Sequence, residues 1–286
     1  LFLVVFNRRW NDFSEKLDMC RTEFSPELVH GLRVSMRRML AAIEMARTAY
    51  PHPHLQKIRR AFKDQIDDLD ELRDTQVILM EVSENMQTLP SLKSFQGYLQ
   101  KRERKLLRAA RKNIEGIDSA ALKKKIAKAI LGLEEQAKAG LEAELFMAVD
   151  IQYTAVLQRS VQVDASVVST IHRLRLSFKK FRYMVEIIHP ALDNPPEYLL
   201  KHMHGYQDVL GQIQDAEVLL RALNEFAAKD EVNLKAADKH YRKFHKELIG
   251  RFIENLNEVR MFWRPTPNAK FPWEAGPVEL LTGMEP

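Results

Sequence analysis

At 286 residues the chain is long enough for two small domains or one large duplicated one. It is 45% hydrophobic and 29% charged, so it can bury a sizeable core and is not disordered; ten glycines, twelve prolines and little β-branched alternation exclude a strand-rich design and favour an all-α protein. A net charge of +5 is too modest to make the whole surface a polyanion receptor, so affinity for anions must come from how the charge is placed, and the lone cysteine, Cys20, excludes an internal disulfide framework and fits a reducing, cytoplasmic setting.

Leu1 to Phe6 is an apolar run of six closed by Asn7-Arg8-Arg9. It is too short to span a bilayer and has no cleavage site behind it, so it reads as the start of a helix, in an N-terminal segment 1–13, and no membrane partner is expected. Ser25-Pro26-Glu27 is a strong helix start: Ser as N-cap, Pro in the first helical position, an acid in the first turn. That helix runs to about Tyr50 and stops at Pro51-His52-Pro53. A second is expected from His54 to about Gln87, a third from Ser91 to about Ile114, a fourth from Ser119 to Ala148. The pattern restarts with a helix from about Ser166 to His189. Pro195-Pro196 opens another to about Ala228, and a last one runs from Glu231 to about Val259. Long helices on short linkers suit antiparallel neighbours in bundles. From Pro265 no helical period remains, and the proline-rich tail, residues 261–286, is expected on the surface or disordered.

Two stretches of this chain repeat each other. Val29-His30-Gly31-Leu32-Arg33-Val34-Ser35-Met36-Arg37-Arg38 returns 142 residues later as Ile171-His172-Arg173-Leu174-Arg175-Leu176-Ser177-Phe178-Lys179-Lys180. A repeat that fixes polar residues as firmly as apolar ones points to a duplicated site, because duplicated packing would fix mainly the apolar ones. The helices that follow repeat too: Leu69, Leu72, Asp74, Val77, Ile78 and Leu79 match Leu210, Ile213, Asp215, Val218, Leu219 and Leu220. The simplest reading is two helical bundles, residues 14–150 and 151–260, related by a pseudo-two-fold axis, with the site where the halves face each other.

With His30 at 0° on a helical wheel of about 100° per residue, Arg33 falls near about 300°, Arg37 near about 340° and Arg38 near about 80°, while Leu32, Met36, Met39 and Ile43 gather at about 180–240°. His172, Arg175 and Lys179 repeat the basic stripe beside Leu174, Phe178, Phe181 and Val185. Glu44 and Glu186 recur further along and are suited to holding basic side chains in place. The second helices add Arg59, Arg60, Lys63 and Arg73 in one half and Lys201, His202 and His204 in the other; Lys101 to Lys112 forms a further basic face. Arginine grips phosphate oxygens through its planar fork, lysine supplies a point charge, and a histidine beside phosphate gains a proton and becomes a donor.

Plainer readings compete. A basic helix face such as Lys101 to Lys112 is often a solvated surface, and Lys123-Lys124-Lys125 scatters round its helix. Asp67, Asp68 and Asp70 resemble an acidic metal cluster, but only Asp74 repeats, as Asp215, and that pair reads as structural, bonded to a nearby arginine or helix N-terminus. With no CxxC or HExxH, neither metal nor cofactor is expected.

The residues His30-x-Leu-Arg33-x-x-x-Arg37-Arg38 and His172-x-Leu-Arg175-x-x-x-Lys179-Lys180-Phe-Arg182-Tyr183, with Leu69-x-x-Leu-Arg-Asp74 and Leu210-x-x-Ile-Gln-Asp215, resemble the CHAD family, the conserved histidine α-helical domain, over about residues 14–260. The resemblance implies two four-helix bundles with pseudo-two-fold symmetry around a basic channel. It further implies binding of inorganic polyphosphate and association with polyphosphate granules. Carried over by position, His30, Arg33, Arg37, Arg38, His172, Arg175, Lys179 and Lys180 would line the channel, with Arg60, Lys63, Lys201 and His204 as neighbours. This chain departs from the pattern in placing Lys179-Lys180 opposite Arg37-Arg38 and Gln214 opposite Arg73, so the halves would grip unequally.

The expected function is therefore non-catalytic polyphosphate binding. A nucleic-acid binder shares the charge but would need a zinc finger, an RNA-recognition motif or aromatics interleaved with the basic stripe, and none is present. A phosphate-ester or polyphosphate-processing enzyme would need a glycine-rich phosphate loop or a repeated carboxylate cluster for Mg²⁺, and neither is present. Oligomeric state and chain-length preference are not encoded legibly.

Overall fold

The computed structural model describes residues 1–137 and 141–274. Every regular element among them is helical: α1 (Phe2–Thr22), α2 (Pro26–Ala49), α3 (Pro53–Glu84), α4 (Lys93–Glu115), α5 (Ser119–Ala137), α6 (Leu141–Val161), α7 (Val168–Ile188), α8 (Leu199–Lys229) and α9 (Lys235–Glu254), with short 3₁₀ turns at Pro90–Leu92, His189–Ala191 and Leu256–Met261. Two of the starts, those of α2 and α3, follow from capping chemistry. Ser25 Oγ accepts the Leu28 N–H at 3.2 Å ahead of Pro26, which satisfies one of the donors left over at a helix N-terminus. His52 does the same for α3: its Nδ1 accepts the His54 N–H at 3.2 Å, and its ring stacks on Tyr50.

The first apolar run folds as part of a full helix. Phe2, Phe6, Trp10, Phe13 and Leu17 recur at i, i+3/i+4 spacing and are all buried, so α1 lies along α2. Consecutive helices then pack in the same order twice: α1 on α2 on α3 on α4, and α6 on α7 on α8 on α9, with α5 between the two sets packing back on α3. Across the sets α2 meets α7 and α3 meets α8, which brings each repeated helix against its counterpart. The main core runs through α1, α2, α6 and α7. A second core at the far ends of α3 and α8 is closed by α4 and α9, where Phe95 and Tyr98 pack on Phe226 at 5.3 and 5.0 Å between ring centres.

The expected fourth helix, Ser119 to Ala148, is covered by α5 and the first part of α6, with residues 138–140 outside the described residues. α5 is described to Ala137, and α6 starts at Leu141 and continues past the expected end to Val161; the sequence pattern assigned no element to residues 149–161. The cause is that α6 is apolar on more than one side: Leu145, Val149, Tyr153 and Val156 are buried while Met147 and Ile151 are exposed, which blurs the helical period. Nor does the chain leave the fold at residue 260. Phe262 and Trp263 are fully buried, Trp263 Nε1 donates to Asp150 Oδ1 at 2.7 Å, and Arg264 donates to both Asp150 oxygens at 3.0 and 2.7 Å. Phe271 and Trp273 stack on each other and lie against Trp263. The tail beyond residue 274 lies outside the described residues.

Candidate functional site

The two His-x-Leu-Arg helices are α2 and α7, and the two helices that follow them are α3 and α8. Because α2 packs on α7 and α3 on α8, the polar stripes of all four converge. On the first-half side Asp70 Oδ1 accepts three hydrogen bonds: Arg33 Nε at 3.0 Å, Arg33 Nη2 at 2.6 Å and Arg37 Nη2 at 2.9 Å. Burial alone would raise the Asp70 pKa, but Arg37 and Arg33 outweigh it and hold the carboxyl below its ordinary value. Arg37 Nε is buried and has no acceptor among the described residues. Such a donor costs about 1–3 kcal/mol while unpaired, and any anion oxygen reaching it recovers that energy.

From the second half, Arg175 and Lys179 reach the same field. Lys179 is pushed from 10.5 down to about 7, first by burial and then by the charges of Arg37, Arg175 and Arg33, with Asp70 opposing. Arg175 is lowered chiefly by burial, with Asp215, Arg37, Asp74 and Asp70 as its charged neighbours. Burial first, and then the positive charge around it, thus favours the neutral form of Lys179 in the free protein.

The repeated acids behave differently from the sequence expectation. Among the described residues neither Asp74 nor Asp215 makes an ion pair within 4 Å or a side-chain hydrogen bond, so they are not bonded to an arginine or a helix end. Both carboxyls are raised, mainly by burial; for Asp74 the charges of Asp70 and Asp215 add to it. They neighbour Arg33, Arg73 and Arg175 electrostatically without neutralising them.

The two histidines are held unequally. His172 Nδ1 bonds Gln214 Oε1; since an amide oxygen only accepts, Nδ1 carries the proton. His30 faces Arg73 where His172 has Gln214, and burial, Arg73 and Arg33 lower its pKa. Its protonation would therefore follow an arriving anion rather than precede it.

The expected residues thus divide into three groups. Arg33, Arg37, His172, Arg175 and Lys179 belong to the central cluster, with His30 at its exposed edge, where Arg73 and Arg33 are its charged neighbours. Arg38 and His204 belong to a second cluster around Glu186, which pairs with Arg182, with His204 at 3.0 Å and with Arg9 at 3.8 Å, while Arg9 Nη1 donates to the Arg38 carbonyl at 2.7 Å. Burial and the nearby Arg38 outweigh Glu186 and lower Arg9 to about 10. Arg60, Lys63, Lys180 and Lys201 are exposed; Lys63 pairs with Asp67 on its own helix. Glu186 does hold basic side chains in place, as does Glu44, which pairs with Arg59 at 3.0 Å. Three contributors escaped the sequence reading. Arg9 looked like the end of an apolar run. Arg182 lay inside the quoted motif without a role; it is buried and also donates to Gln207 at 2.7 Å. Asp70 was set aside because it does not repeat. Among the described residues no three histidines, cysteines or acids are placed to hold a metal ion, and no helix is long and apolar enough to cross a membrane.

A family model described as the CHAD domain matches residues 6–224. Among solved structures, the chain is similar to the crystal structure of the CHAD domain from the plant Ricinus communis, with 18% identity and a TM-score of 0.66 over 91% of this chain and 89% of that one; at that identity the likeness is one of fold. No curated protein matches the chain.

Proposed function

The chain belongs to the CHAD domain family, and on that premise we propose that it binds inorganic polyphosphate without transforming it, in a basic channel between its two halves, in the cytoplasm or on polyphosphate granules. The observation that carries this reading is the meeting of Arg33, Arg37, Arg175 and Lys179 from opposite halves, with Asp70 as the one carboxylate paired to them among the described residues. A buried field that drives a lysine toward neutrality favours anions over any other ligand class. The stripe from His30 to Arg37 extends about 10 Å at about 1.5 Å per residue, long enough for several adjacent phosphoryl groups. Both arginine forks can give two donors to one phosphoryl group, and each added phosphoryl unit brings more charge-assisted bonds and more released counterions.

A nucleic acid would be drawn by the same charge. Against it, the rings near the cluster, such as Phe178 and Phe181, are buried core residues and offer no exposed stacking face. Titration calorimetry at near-physiological salt, with long-chain polyphosphate beside single-stranded RNA and duplex DNA at equal phosphate concentration, tests the proposal. Tight polyphosphate binding that neither nucleic acid displaces is expected. Equal binding of all three polyanions would replace a dedicated receptor by a generic basic surface.

A further inference from the structure

The two halves are not equally filled with charge. Asp70 and Asp74 lie one turn apart on α3, and the matched register of Leu69 with Leu210, Leu72 with Ile213 and Asp74 with Asp215 puts Gly211 of α8 in the place of Asp70. In the first half Asp70 holds Arg33 and Arg37 through three hydrogen bonds. Arg175 and Lys179 stand where Arg33 and Arg37 do, yet among the described residues no carboxylate lies within ion-pair distance of either. Gly211 is one turn from Asp215, whose carboxyl neighbours Arg175 electrostatically, so the glycine lies on the stripe of α8 that faces these cations. A Cβ built on Gly211 would meet nothing within 4 Å, so the missing carboxylate leaves open space rather than a refilled core.

Resting on the polyphosphate reading above, we propose that the space beside Gly211 is a phosphoryl subsite, in which one phosphoryl group of the ligand takes on Arg175 and Lys179 the place that Asp70 occupies on Arg33 and Arg37. The first-half fork is compensated from within and yields only when a ligand displaces Asp70. The second-half pair is open and engages first. Short oligophosphates therefore depend on the second half, while longer chains go on to compete with Asp70. The glycine is a specificity feature: a carboxylate there would complete the internal ion pairs and close the subsite. Burial, with the charges of Arg37, Arg175 and Arg33, already lowers the Lys179 pKa, in keeping with an uncompensated cation on that side.

The test uses tripolyphosphate and long-chain polyphosphate with the full chain. Gly211→Asp should weaken tripolyphosphate by about tenfold or more, equivalent to about 1.4 kcal/mol, and raise the melting temperature. Gly211→Asn, of equal size without charge, should stay within about threefold of wild type. A second pair reads the same asymmetry without adding a group: Arg175→Ala should weaken tripolyphosphate by about tenfold or more, and Arg33→Ala by less than about threefold. Circular dichroism checks that each variant is folded; if Gly211→Asp does not fold, the arginine pair decides. Equal losses for Arg175→Ala and Arg33→Ala, or wild-type binding by folded Gly211→Asp, would overturn the subsite while leaving polyphosphate binding intact. Failure of the wild-type protein to bind either phosphate would instead overturn the function itself.

Discussion

Lys179 is the residue whose chemistry most depends on the fold. Its folded pKa of about 7 lies below the ordinary 10.5, so between those values the unfolded chain carries a proton that the folded chain lacks, and stability rises with pH across that window. The destabilisation is fully present at and below about pH 7 and fades as pH approaches 10. Lys179→Met should therefore melt higher than wild type at pH 7, with the gap shrinking by pH 9.5, as thermal denaturation followed by circular dichroism would register; a lower melting point at pH 7 would contradict it. The same residue couples ligand to protons. An arriving polyanion restores the charged lysine, so binding should take up protons at pH 8 and weaken as pH rises further. Calorimetry in buffers of different ionisation enthalpy measures this, and Lys179→Met should remove most of the uptake at pH 8, leaving the smaller share of His30. At this scale the sequence reading named cations that the fold brings near one another, because the repeat fixes His, Arg and Lys together. It missed the counter-anion for the same reason: Asp70 has Gly211 as its counterpart, and a search for repeats passes over a residue present in one copy.

Among the elements, most helix starts were readable from short-range chemistry, as at Ser25-Pro26, and the ends of α2, α3 and α7 from prolines. The extension of α6 to Val161 was not, since α6 is apolar on several sides. The junction of the C-terminal segment with α6 was not readable either, because Asp150 and Arg264 are 114 residues apart and nothing local links them. That junction is a buried ion pair with an added Trp263 N–H bond, so Asp150→Ala leaves a cation and an indole donor without their acceptor. A loss of about 3 kcal/mol or more is expected, about 5–10 °C in melting temperature for a chain of this size, with polyphosphate affinity of the folded protein unchanged. An unchanged melting point would mean that the segment is dispensable to the fold. On α4, Lys101, Arg104, Lys105, Arg108 and Lys112 are exposed, at the solvated end of what a basic stripe can mean. Changing Lys101, Arg104, Lys105 and Arg108 to Gln should lower the salt sensitivity of binding and cost far less affinity than the same number of changes in the central cluster. A comparable loss would move the site to α4.

For the molecule as a whole, a net charge of +5 spread over 286 residues concentrates no charge by itself; the packing of α2 on α7 and α3 on α8 does, by bringing cations that are 142 residues apart in sequence into one half-buried cluster. In the proposed channel the two repeated stretches would supply the two walls, and the differences between them, Gly211 for Asp70, Lys179 for Arg37 and Gln214 for Arg73, would make the walls unequal. Affinity that depends on this geometry should fall steeply with salt, as counterion release requires, and should vanish when the walls are stripped while the surface charge is kept. The most direct measurement is polyphosphate titration calorimetry on the variant with Arg33, Arg37, Arg175 and Lys179 all changed to Ala, its helix content checked by circular dichroism. A folded variant that no longer binds polyphosphate is the predicted result; a folded variant that binds as tightly as wild type would contradict a receptor built where the two halves meet.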